Sequence, residues 1–179
     1  MTRNLFRTAV AAGAATVLGA LLVVTAASGA TPPRAPDVAV AYHLPIAGIA
    51  RVVHPFDPPP RPWAAGHRGV DLAAPAAARV LAPAPGVVAF AGVVAGRGVV
   101  TIAHDDGLRT SLEPVTATVP VGTRVDAGDE VGVLSGVGTH CAPATCLHWG
   151  VRRGTTYLDP MRLVPGAGPM VLLPLDGGP

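Results

Sequence analysis

The chain contains no lysine: all 13 basic side chains among its 179 residues are arginine. Chemistry that needs a side-chain amine is excluded with it, including Schiff bases, a phosphate-binding P-loop lysine and lipoyl or biotinyl attachment. Serine is scarce too. Beyond residue 30 only Ser111 and Ser135 remain, neither in a nucleophile-elbow pattern, so a serine hydrolase has no support. Aromatic residues make up 4% of the sequence and charged residues 13%, whereas hydrophobic residues reach 50% and there are 22 Gly and 20 Pro. That composition suits one modest domain and leaves too little chain for a second.

Part of the hydrophobicity is concentrated at the N-terminus. Arg3 and Arg7 precede an uncharged Ala/Val/Leu-rich run that ends in Ser28-Gly29-Ala30. A positive start, an apolar middle and a small-residue finish are the layout of an export signal. Residues 1–30 are therefore expected to be a signal peptide cleaved after Ala30 or, because Thr8 to Pro33 is uncharged throughout, an uncleaved membrane anchor. Either outcome puts the remainder outside the cytoplasm, secreted or in the cell envelope, with an uncleaved N-terminus as its only route to a membrane. Removing these residues takes two arginines away and leaves 11 Arg against 11 Asp and Glu. No basic face for nucleic acid is implied.

Residues 31–50 carry Pro32, Pro33, Pro36 and Pro45 and read as a Pro-rich linker. Between 51 and 164, short runs rich in β-branched residues alternate with Gly, Pro and Asp turns: Arg79 to Ala82, Gly86 to Ala91, Gly98 to His104, Leu108 to Leu112, Glu130 to Leu134 and Leu147 to Arg152. None keeps a helical period with usable caps, so the pattern predicts an all-β domain. Asp105-Asp106-Gly107 and Asp126-Ala127-Gly128 supply residues that tolerate positive φ, as hairpin turns require. Residues 165–179 read as a flexible C-terminal tail, in which Met170-Val171-Leu172-Leu173 is the part able to pack back on the sheet. His43 and His54 are expected at the surface, His104 in a structural role, and Trp149 and Tyr157 in the core.

The candidate chemistry lies in two short segments. His67-Arg68-Gly69-Val70-Asp71 sets an imidazole and a carboxylate four residues apart. Far downstream, Cys146-Leu147-His148-Trp149 sets a thiol and an imidazole two apart in a strand-like run, where both point to one face. Two imidazoles and one carboxylate, His67, Asp71 and His148, are a zinc set that leaves one coordination position for water. The alternative is a metal-free β binding module in which the three side chains make ordinary polar contacts.

These segments do not stand alone. Gly66-His67-Arg68-Gly69-Val70-Asp71-Leu72 is followed by Val80-Leu81-Ala82-Pro83 with Gly86-Val87-Val88, by Val99 to His104 with Gly107-Leu108-Arg109-Thr110, by Val121-Gly122 to Gly128-Asp129, and by Leu147-His148-Trp149. In this order, over about Arg51 to Val164, they resemble the M23 (LytM, lysostaphin-type) peptidase domain. The resemblance implies a mostly antiparallel, β-sandwich-like domain of short strands with a groove. It also implies a bound zinc ion (Zn2+) and peptidoglycan or its stem peptides as partner. His67, Asp71 and His148 match the family's zinc ligands. The mechanism implied is metal-assisted hydrolysis of a peptide bond.

Two positions depart from the resemblance. Cys146 stands where the first His of the family's His-x-His motif is expected, and Pro114, in Leu112-Glu113-Pro114-Val115, stands where another catalytic His is expected. General acid or base assistance is worth about 10² to 10⁴ in rate. Turnover is accordingly expected to be weakened or lost, with a role in recognising peptidoglycan or regulating other cell-wall enzymes; an active zinc endopeptidase is the alternative. His140 and Glu113 are the candidate replacement bases, against readings as an exposed loop imidazole and a solvated carboxylate. Cys146 itself has three readings: a disulfide with Cys141, favoured by an exported chain with two close cysteines; a fourth zinc ligand on the face of His148; or a nucleophile, for which no partner is evident.

Overall fold

The computed structural model describes residues 40–48 and 51–167. The expected signal segment, most of the expected linker and the Met170–Leu173 patch lie outside the described residues. Among the described residues no helix is long and apolar enough to cross a membrane.

The described residues form eleven strands: β1 (Val52–His54), β2 (Val70–Ala73), β3 (Arg79–Leu81), β4 (Gly86–Val94), β5 (Arg97–His104), β6 (Leu108–Glu113), β7 (Val115–Ala117), β8 (Arg124–Val125), β9 (Glu130–Leu134), β10 (Cys146–Arg153) and β11 (Thr156–Leu158). A 3-10 turn at Pro160–Leu163 follows, capped by the Asp159 carboxylate, which accepts from the Met161 backbone N–H at 3.0 Å. One sheet runs β1-β2-β10-β6-β5-β4-β8, with β11 also paired to β10; a second runs β3-β9-β7. The pairs are antiparallel. The fold is thus all-β, as the β-branched runs predict.

The six runs read from the sequence became β3, β4, β5, β6, β9 and β10, with ends shifted by up to three residues. The other five strands are two to four residues long, too short to display a period of two. Within β6 the alternation turns Leu108, Thr110 and Leu112 inward, and within β10 Leu147, Trp149 and Val151 are buried. Each fully buried aliphatic or aromatic side chain stabilises by about 1.5–3 kcal/mol. His104 is buried as well. Its Nδ1–H donates to the Pro85 carbonyl at 2.9 Å, and its Nε2 accepts from the Thr110 hydroxyl at 2.8 Å, so both ring nitrogens are satisfied. At the two expected turns, Gly107 and Gly128 have φ of +80° and +90°, a region that costs glycine little.

Two expectations are corrected. Residues 40–48 are not linker: Tyr42 and Ile46 are buried, the Tyr42 hydroxyl donates to the Asp106 carboxylate at 3.1 Å, and Ile46 pairs with Val80. Pro45 masked the apolar residues on either side of it, which join the core. Tyr157 is not a core residue either; it is 39% exposed on the short β11 and lines a hollow with Phe56 and Leu158. Trp149 is buried as expected, although its indole N–H finds no hydrogen-bond partner among the described residues.

Candidate metal centre

Strand register brings the site together. Across β1, β2, β10 and β6, His54 lies opposite Asp71, Asp71 opposite His148, and His148 opposite Glu113. Directly opposed residues share a face, with Cβ atoms about 4.5–5.5 Å apart. Their sequence neighbours Val70, Leu72, Leu147 and Trp149 are in the core, so the alternation that packs Trp149 inward delivers His148 to the other face. His67 enters from the segment before β2, where it exchanges two backbone hydrogen bonds with Asp57. Gly69 makes room for the His148 ring: a Cβ there would lie 2.8 Å from His148 Nε2 and would strike the Trp149 carbonyl oxygen.

Three donor atoms converge. His148 Nδ1 is 2.9 Å from Asp71 Oδ1, His67 Nε2 is 3.1 Å from the same oxygen, and the two nitrogens are 3.0 Å apart. Ligands at zinc distances in a tetrahedral site stand about 3.3 Å from one another, so one ion could touch all three. The chemistry of the set agrees with the spacing. His67 Nδ1 lies 2.6 Å from the Pro55 carbonyl oxygen, which can only accept, so the ring proton sits on Nδ1. The Nε2 of a neutral His67 then presents a lone pair to a carboxylate oxygen, an opposition that a cation between them relieves. Fixing the tautomer of a ligating imidazole through its far nitrogen is a recurrent arrangement in metal sites.

The second oxygen of Asp71 is used separately. His140 Nε2–H donates to Oδ2 at 2.7 Å and His54 Nδ1–H donates to it at 2.8 Å, although both side chains are about half exposed. His140, a candidate from the sequence, is therefore at the site rather than free in its loop. His54 was expected only at the surface; it belongs to the cluster because β1 pairs with β2. A three-residue strand gave no pattern from which to read that pairing. Burial alone would push the Asp71 carboxyl up, but the hydrogen bonds from His148 and His140 and the adjacent His67 outweigh it and hold the group well below the usual carboxylate range.

Cys141 and Cys146 are joined in a disulfide, with Cα atoms 5.9 Å apart. This removes the readings of Cys146 as a ligand or nucleophile in the oxidised chain. Glu113 shares the face of His148, but its carboxylate is 3.4 Å from Arg97 Nε, an ion pair rather than a solvated carboxylate. Pro114 is buried and carries no ionisable group. His54, His67, Asp71 and His140, with Pro55, Phe56 and Asp57, line an open cavity of about 660 Å³.

The sequence model of Peptidase family M23 matches residues 65–160. An uncharacterized protein of Mycobacterium tuberculosis, Rv2891, is 42% identical over 152 residues, a match that covers 83% of this chain and 60% of that protein. Helicobacter pylori Csd3 superposes with a TM-score of 0.58 at 26% identity, covering 69% of this chain and 34% of that one. The catalytic domain of the antimicrobial peptidase lysostaphin from Staphylococcus simulans shares the fold, with a TM-score of 0.53 at 24% identity over 63% of this chain and 90% of that domain. The chain thus spans about three fifths of the mycobacterial relative and a third of Csd3.

Proposed function

Because the chain belongs to peptidase family M23, we propose that it is an exported zinc-binding member of that family, which engages peptidoglycan or its stem peptides at the cell envelope with turnover weakened or lost. The observation that carries this reading is the convergence of His67 Nε2, Asp71 Oδ1 and His148 Nδ1, no two of which are more than 3.1 Å apart. These three atoms would hold the ion. When bound, zinc supplies a Lewis acid for a scissile carbonyl and lowers the pKa of water to about 7.

The chain's own residues then set what can follow. His67 is locked by Pro55, and Asp71 is held ionised by the imidazoles around it, so the socket is oriented in advance. Proton transfer is the weak point. Pro114 can carry no proton, Cys146 is committed to a disulfide, and Glu113 is paired with Arg97. Each missing acid or base removes about 10² to 10⁴ in rate when it acts alone. The cavity beside the site, with Phe56 and Asp57 in its lining, gives an extended peptide a place to lie. The role that remains is recognition of the wall, or regulation of other enzymes that work on it.

Incubation of the purified, zinc-loaded chain with isolated sacculi tests the proposal. The chain should sediment with the sacculi and release little peptide. Chelator-sensitive peptide release, abolished by His67→Ala, would overturn the reading of weakened turnover. Failure to take up zinc would overturn the metal reading.

A further inference from the structure

Of the four residues whose donor atoms could share one ion, His140 is the most exposed: its side chain is 47% exposed, against 21% for His67, 14% for His148 and 1% for Asp71. Its Nε2 lies 2.7 Å from Asp71 Oδ2, and its ring centroid is 5.6 Å from that of His148 and 6.0 Å from that of His67. One donor atom from each of His67, Asp71, His140 and His148 can be chosen so that all four lie within 4.8 Å of one another. That spread exceeds the edge of a tetrahedral zinc site by only about 1.5 Å.

The chain around His140 limits where the ring can go. The next residue, Cys141, is bonded to Cys146, the first residue of β10 and two positions from His148. Thr139 on the other side lies 3.3 Å through its hydroxyl from Cys146 Sγ, and the same hydroxyl accepts from the Cys141 N–H at 3.1 Å. His140 is therefore flanked on both sides by residues anchored to the strand that carries His148. Position 146, where the family resemblance places an imidazole, instead anchors a loop that carries one.

Resting on the zinc reading above, we propose that His140 is a fourth protein ligand of the ion, held in reach by the Cys141–Cys146 bridge. Binding moves the ring proton from Nε2 to Nδ1 and exchanges the hydrogen bond to Asp71 Oδ2 for a bond to the metal. Four protein ligands close a zinc site. A substrate carbonyl or a water molecule has to displace His140 before it reaches the ion, which makes the loop a gate on the same site and accounts for reduced turnover without loss of metal.

Cobalt(II) in place of zinc makes the coordination visible, and azide serves as the probe for an open position. The full chain should bind one cobalt per molecule with a four-coordinate visible spectrum that azide leaves unchanged. His140→Ala should keep the cobalt, bind zinc at least about tenfold more weakly, and change its spectrum on azide addition. Cys141→Ser/Cys146→Ser keeps all four ligands but frees the loop, so it should gain an azide response between the two. An equal azide response in the full chain and His140→Ala would overturn the assignment of His140, whatever the zinc affinities, because loss of its hydrogen bond to Asp71 alone would weaken binding. An unresponsive double serine variant would overturn the role of the bridge. Cobalt uptake that survives the double change His67→Ala/His148→Ala, which leaves only Asp71 and His140 of the four, would instead sink the three-ligand reading, and this proposal with it.

Discussion

Asp71 and His148 face each other across the β2–β10 pairing, with Oδ1 and Nδ1 2.9 Å apart. Asp71 also carries the charge that His67, His54 and His140 surround. Asp71→Asn keeps the shape and removes the charge. This variant is expected to lose stoichiometric zinc on gel filtration, while the parent chain retains about one per molecule. Metal analysis of the eluted protein checks it, and a metal-free parent chain would favour the binding-module alternative.

His54 touches Asp71 only through Oδ2, the oxygen turned away from the donor triangle. His54→Ala should therefore preserve one zinc per chain and weaken its affinity by about 10- to 100-fold, the usual effect of losing an outer hydrogen bond to a ligand. Competition with a chromophoric chelator reads the difference.

Gly69→Ala would put a methyl group against the Trp149 carbonyl oxygen, a backbone atom, and 2.8 Å from the His148 ring. Overpacking of this kind costs about 1–3 kcal/mol. Urea unfolding should show that loss, and zinc affinity should fall with it because the imidazole is pushed aside. A variant with the parent's midpoint and affinity would contradict the close packing described.

His104 supplies a pH dependence that does not involve the His67, Asp71 and His148 cluster. Burial is the main cause that holds its pKa below the ordinary 6.5. The folded state then binds a proton less readily than the unfolded chain, so the unfolded state takes up more protons between the lowered pKa and 6.5, and stability falls as pH falls through that window. Thermal unfolding at about pH 7.5 and about pH 5.5 should show a lower midpoint at the acid value. The difference should shrink in His104→Gln.

The Cys141–Cys146 ring is small, with a sequence separation of 5, so the chain-entropy estimate of its worth is about 2 kcal/mol. Cys141→Ser/Cys146→Ser should lower the unfolding free energy by about that amount. An effect much larger would mean that the loop is packed as well as tethered.

Much of this arrangement was legible in the residues. The triplet His67, Asp71 and His148 was suggested by one His-x-x-x-Asp spacing and one strand alternation, both local, and singled out by the resemblance to the M23 domain, while the longer strands follow from their β-branched runs. What could not be read depends on pairing between distant segments. His54 reaches Asp71 only because the short β1 lies beside β2, and Glu113 meets Arg97 at the open end of the β5–β6 hairpin, 16 residues away in sequence. Tyr42 and Ile46 were hidden among prolines, and their burial depends on the Leu163 and Val80 segments, far along the chain.

Two of the three converging donors, Asp71 and His148, sit on adjacent interior strands of the larger sheet, with Val70 and Trp149 anchoring the opposite face. Such a socket is built by the backbone before any ion arrives. In a zinc finger, stripping the metal dissolves the domain; here chelation should empty the socket and leave the architecture standing, so that occupancy follows the supply of metal rather than the survival of the protein.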